Sequence, residues 1–217
     1  VTAGAQRDDP GEDDRYVLVP LHDGTTVIVR SIAPEDAPLL RRFHATLSED
    51  TVRNRFLSAK PQLSRSDTRY LCNVDGQDHV AVVALDPQRP EVILGVARWV
   101  RYPDEPARAE AAFVVADRAQ GTGLGSALAI TLADLAVERD VEELTGSMLS
   151  GNLQSEGLFR RMGGDITVRR QGITNDVTTT LPPHTGRVER LVHRRRMRPG
   201  RRTTVVRAQP RSTAHAA

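Results

Sequence analysis

Phe113-Val-Val-Ala-Asp-Arg-Ala-Gln-Gly-Thr-Gly-Leu-Gly-Ser126 runs from a β-rich stretch, through three closely spaced glycines, into a segment with Leu124, Leu128, Leu132 and Leu135 on one side. That order predicts a strand, a tight turn and the start of a helix. Glycines leave backbone N–H groups unobstructed, and a helix N-terminus carries about half a positive charge, so this geometry suits a phosphate. Spacing narrows the choice. A Walker A loop requires Gly-Lys-Ser/Thr, and no lysine is present here. A dinucleotide fingerprint built on Gly121 and Gly123 wants its third glycine at Ser126, in the first βα unit of a parallel sheet. A tight turn with no ligand is the other alternative.

Upstream, Tyr16–Leu21 and Thr25–Ile32 read as strands joined through His22-Asp23-Gly24. Pro34-Glu35-Asp36 then starts a helix carrying the apolar stripe Leu39, Leu40, Phe43 and Leu47. Ser48 is placed to cap a second short helix through Phe56, and Ser64 with Asp67 forms a capping box for a third, Arg65 to Asn73. The period then changes to two, giving strands over His79–Leu85, Val92–Val100 and Ala109–Val115, the last reached through a Pro103–Pro106 loop. After the glycines, a helix to about Arg139 precedes a strand over Glu143–Leu149 and a helix over Asn152–Met162. Strands over Ile166–Arg170 and Val177–Leu181 close the pattern.

Composition divides the 217 residues unevenly. The 39% hydrophobic and 27% charged content belongs to a soluble globular chain, but residues 1–15 and 187–217 hold few large apolar side chains. The expected organisation is a disordered acidic arm over 1–15, one domain over 16–186, and a disordered arginine-rich tail over 187–217, with a helical tendency near Val188–Met197. Ten arginines against Glu189 give the tail +9 of a total of +2, so residues 1–186 carry −7. The basic tail offers nucleic acid non-specific attachment at most, since no aromatics interleave with its arginines for stacking. Cys72 is the only cysteine, and no HxxxH pair occurs, so neither a disulfide framework nor a metal site is expected. Asp8, Asp9, Glu12, Asp13 and Asp14 have the wrong sign for a secretory signal, and no apolar run approaches the ~20 residues of a membrane span. The expectation is a cytoplasmic protein with no membrane partner; the sequence says nothing of its oligomeric state.

The pattern Gln120-x-x-Gly123-x-Gly125 resembles the coenzyme A loop of the GNAT superfamily of N-acetyltransferases. The resemblance covers about Val27 to Leu181: Gly95-Val-Ala-Arg-Trp-Val-Arg, Ala109-Glu-Ala-Ala-Phe-Val-Val, Met148-Leu-Ser-Gly-Asn152 and Leu158-Phe-Arg-Arg-Met-Gly163 fall in family order. Within the superfamily, Leu47 to Phe56 looks like the acyltransferase module of bacterial protein-lysine acetyltransferases. The resemblance implies a single α/β (α+β) domain. Its mixed, mostly antiparallel twisted sheet would be splayed at the acyl-CoA site, with helices on both faces. It implies acetyl-CoA as co-substrate, no metal, and an amine acceptor, a protein lysine by the closer likeness. Phe113, Val114 and Val115 would offer strand backbone to the pantetheine arm. The N–H groups of Gln120, Gly121, Thr122, Gly123, Leu124, Gly125 and Ser126 would hold the pyrophosphate. Asn152 matches the family asparagine that contacts the pantetheine, although an asparagine there also serves to cap the helix it begins.

A lysine-like amine has a pKa near 10.4, so deprotonating it at pH 7 costs roughly 4.6 kcal/mol, and a base is the first requirement. Glu110 matches the family glutamate, and burial beside Phe113 and Trp99 is expected to raise its pKa. A backbone N–H of Val114 or Val115 is expected to donate to the oxyanion. Two departures stand out. Many members place a tyrosine where this chain has Phe159, leaving the acid for the thiolate unassigned, and Gly164 stands where most carry an aromatic. A small-molecule amine acetyltransferase and a non-catalytic acyl-CoA sensor remain the alternatives.

Overall fold

The computed structural model describes residues 16–59 and 62–182; the acidic arm, Lys60 and the arginine-rich tail lie outside the described residues. β-branched and apolar residues make the N-terminal hairpin strands β1 (Tyr16–Pro20) and β2 (Thr26–Ser31), with Val27, Ile28 and Val29 of β2 all buried. A 3-10 turn at Pro34–Asp36 leads into α1 (Ala37–Ala45), followed by α2 (Glu49–Phe56) and α3 (Arg65–Cys72). Both short helices start where their caps stand: Ser48 accepts from the Thr51 N–H, and Ser64 and Asp67 close a capping box. Then come β3 (His79–Asp86), β4 (Arg89–Tyr102), β5 (Glu105–Val115), α4 (Leu124–Val137), β6 (Glu143–Leu149), α5 (Leu153–Arg161), β7 (Ile166–Gln171) and β8 (Thr174–Thr180).

The eight strands form one sheet in the order β1-β2-β3-β4-β5-β6-β8-β7, antiparallel except for β5 and β6. Helix α4 packs against β3, β4 and β5 on one face, while α1 and α2 lie on β4 and β5 with α3 beside α1. A sheet covered on both faces needs central strands that are apolar on both, and β3 reads His-Val-Ala-Val-Val-Ala-Leu-Asp with only its last residue partly exposed. The edge strand β7 carries Arg169 and Arg170, charges that discourage pairing with another chain. β4 and β5 run past their expected ends. Residues 103–106 were expected as a loop, but Glu105 and Pro106 belong to β5, which turns back tightly on β4. Gly164 sits where the Thr180 carbonyl would overlap any Cβ, which explains why this junction carries no side chain.

Arg98 is 5% exposed in the middle of β4. Its guanidinium donates to the Leu71 carbonyl at the end of α3 (3.1 Å) and to His79 Nε2 (3.0 Å). Burial first, and then the Arg98 charge, push His79 down from 6.5 to about 4, so its ring is neutral and accepts at Nε2. The unfolded chain therefore takes up this proton first. Stability is expected to fall as pH drops from about 6.5 and to level off below about 4, by up to roughly 3 kcal/mol. Melting temperature against pH for wild type and His79→Gln checks this. Parallel curves would remove His79 as the cause.

Candidate active site

β5 and β6 pair only from Arg108 to Glu110 against Glu143 to Thr145. Beyond that point the strands part, and α5 supplies the reason. Phe159, 3% exposed, drives its ring onto Gly146, where an added Cβ would stand 2.5 Å from Cζ. The same ring meets Phe113 edge-on with centroids 6.0 Å apart. Only glycine at 146 leaves room for this wedge. It holds open a cleft of about 210 Å³ between Glu110–Phe113 of β5 and Ser147 and Met148 of β6. Arg55 of α2 and Ser155 of α5 also line it.

The parting leaves strand backbone free on one side of β5. The Ala116 N–H donates to Leu94 O, and alternation along an antiparallel pair then turns residues 114 and 112 toward β4 as well. Residues 111, 113 and 115 face β6 instead. The Val114 N–H is therefore committed to β4, and of the two expected oxyanion donors only Val115 points into the gap. Phe113 does the same one pleat earlier.

The glycine loop follows directly. Gly121 and Gly123 hold φ of +78° and +94°, left-handed values open to glycine at little cost, and Gly123 is the N-cap of α4. Within the loop and first turn, the N–H groups of Gly121, Thr122, Gly123, Gly125 and Ser126 donate to no group among the described residues. That of Leu124 reaches only Thr122 Oγ1, at 3.4 Å. The result is a row of N–H groups at the positive end of a 14-residue helix. Such a row suits a pyrophosphate.

A polar latch joins this loop to α2. Asp117 accepts from Ser48 N (2.9 Å), Ser48 Oγ (2.6 Å) and Thr51 Oγ1 (2.7 Å). Gln120 Nε2 donates to Thr51 Oγ1 (3.1 Å) and to Val115 O (3.3 Å). Partial burial would raise the Asp117 carboxyl, but the hydrogen bonds from Ser48 and Thr51 outweigh it and hold the group below its ordinary value. The loop and the α2 wall of the cleft are thus fixed to one another.

Glu110 lines the cleft, though not in the surroundings expected for it. It is exposed, and register places it opposite Val100, on the face of Ala112 and Val114. Phe113 and Trp99 lie on the other face, so the expected burial beside them does not occur. Its charged neighbour is Arg55: burial pushes Arg55 down and the Glu110 charge pulls it back up. Asn152 takes the capping role, its side-chain oxygen accepting from Ser155 N at 3.0 Å, and it does not line the cleft. Arg55, Ser147 and Ser155 line the cleft without having been singled out by sequence reasoning. The resemblance over Leu47 to Phe56 was the one signal that could have drawn attention to Arg55. Among the described residues, no group of His, Cys, Asp and Glu is placed to hold a metal, and no helix is long and apolar enough to cross a membrane.

A family model described as an acetyltransferase (GNAT) domain matches residues 26–165. The chain is 30% identical over 147 residues to acetyltransferase Pat of Mycolicibacterium smegmatis, covering 68% of this chain and 44% of that protein. It is 33% identical over 126 residues to acetyltransferase PA5475 of Pseudomonas aeruginosa, covering 58% of this chain and 67% of that one. The solved GNAT domain of S. lividans PAT superposes with a TM-score of 0.70 at 28% identity, over 76% of this chain and 97% of that one. This chain thus spans less than half the length of the M. smegmatis relative, and nearly all of the S. lividans domain.

Proposed function

The chain belongs to the acetyltransferase (GNAT) domain family, and we propose that it moves an acetyl group from acetyl-CoA to the side-chain amine of a protein lysine. One observation carries the acetyl-CoA part: the unbonded N–H row at the head of α4 runs on into the parted backbone of β5 and β6. The row fits a pyrophosphate, and the gap fits an extended arm of amides and thioester behind it. The lysine part rests on the likeness of Leu47 to Phe56 to protein-lysine acetyltransferases, a stretch that here forms α2 and one cleft wall. A single cysteine among the 217 residues supports a cytoplasmic setting.

In this reading Glu110 takes the proton from the incoming amine, directly or through a water at the cleft mouth. The N–H of Val115, with that of Phe113 beside it, donates to the oxygen of the collapsing thioester. Phe159 has no proton to give, and its role is that of the wedge. The departing thiolate, with a thiol pKa near 8.5, needs little help at neutral pH.

The test is thiol release from acetyl-CoA with the purified chain, offered lysine peptides, polyamines and free amino acids in parallel. Peptides are expected to give the highest kcat/KM. A higher value for a small amine would move the acceptor class. Tight acetyl-CoA binding with no turnover on any amine would leave only a binding module.

A further inference from the structure

We propose that Arg55, backed by Arg98, forms a subsite for a carboxylate carried by one of the two substrates, beside Glu110 on the α1–α3 face of the sheet. This rests on the cleft being an acyltransferase site. Arg55 lines both the 210 Å³ cleft and a second cavity of about 30 Å³ beneath α1, α2 and α3. Arg98 lines that smaller cavity too, whose other walls are apolar apart from His44.

Among the described residues, no carboxylate lines the small cavity, and Glu110 is the single acid lining the cleft. Among the described residues the Arg55 guanidinium makes no hydrogen bond or ion pair; its neighbour is the Phe56 ring, 5.0 Å to the centroid. Arg98 spends its two hydrogen bonds on uncharged acceptors, the Leu71 carbonyl and neutral His79. Burial lowers Arg98 to about 9, and repulsion from Arg55 adds to the effect. Two guanidinium groups thus sit close together in a largely apolar setting with their charge uncompensated from behind.

A buried cation is costly unless an anion meets it, and among the described residues the one acid lining either cavity is Glu110, at the mouth. A guanidinium presents a fork of N–H donors that matches a carboxylate. A cavity of about 30 Å³ has room for about two waters, enough for a carboxylate head but not for a whole side chain. The body of the ligand must therefore lie in the cleft, close to where Glu110 meets the amine. Two chemistries satisfy this: an acceptor with a carboxylate near its amine, such as a lysine flanked by an acidic residue, or an acyl group ending in a carboxylate.

The experiment has two arms. In the first, wild type and Arg55→Gln acetylate lysine peptides that differ only in Glu against Gln at one position near the lysine. In the second, both enzymes use succinyl-CoA or butyryl-CoA on the neutral peptide. One matched ratio of kcat/KM is expected to exceed about tenfold in wild type and fall toward one in Arg55→Gln. The arm that responds names the substrate bearing the carboxylate. Ratios near one in wild type, or unchanged in the variant, with acetylation of the neutral peptide intact, would overturn the subsite alone. Absence of any acyl transfer would overturn the acyltransferase reading. In that case calorimetric titration with glutarate decides the subsite, which stands if wild type binds and Arg55→Gln does not, and falls otherwise.

Discussion

Glu110→Gln is expected to lower kcat at pH 7 by about 10²–10⁴-fold, the usual worth of a positioned general base. The amide is nearly isosteric and lies at the paired end of β5, away from the N–H row at the head of α4, so the affinity for acetyl-CoA should hold. The deficit should shrink as pH rises toward the amine's own pKa near 10.4, because a growing share of the acceptor arrives already deprotonated. Exposure of Glu110 shapes this expectation. A carboxylate at the cleft mouth can receive the proton and pass it to water, whereas one sealed against Trp99 could not. Wild-type rates in the variant at pH 7 would shift the role to water or to another group. A uniform loss of acetyl-CoA affinity would make Glu110 structural.

The separation of Glu110 from Phe113 was legible in the sequence, and the parity of the strand is where it lay. Residues 110, 112 and 114 share one face of β5 and residues 111 and 113 the other, so Glu110 and Phe113 could never have been neighbours. What the sequence showed clearly were features fixed over a few residues: the caps at Ser48 and Ser64, the span of β6, and the glycine turn into α4. The ends of β4 and β5 were less clear, because Pro90 and Pro106 lie inside strands where short-range chemistry argues for a loop. Arg55 and Ser147 were out of reach for a different reason. They meet only because α2 crosses β5 and because Phe159 wedges β6 away, a meeting that no local spacing encodes.

Gly123→Val is expected to weaken acetyl-CoA binding by about 10²-fold or more. Hydrogen bonds to a charged group are each worth about 1.5–3 kcal/mol, and displacing the loop would lose at least one or two of them. The structure adds two costs that do not involve a ligand. A branched residue at φ +94° is strained, and a Cβ at this position would lie 2.9 Å from Cδ2 of His22 on the β1–β2 turn. His22 also donates its N–H to Thr122 O at 3.1 Å, so a push at Gly123 is passed to that turn. A loss of affinity could therefore follow from general destabilisation alone. Gly172→Val separates the two. Gly172 has φ +66° and no atom within 4 Å of an added Cβ, and it sits on the β7–β8 hairpin, away from the loop. It shares the backbone strain and none of the proposed contact. The expected result is a lowered melting temperature in both variants, with acetyl-CoA affinity, measured by calorimetry, lost only in Gly123→Val. Equal affinity in a folded Gly123→Val protein would take the pyrophosphate away from this loop. Equal losses in both would trace the effect to stability.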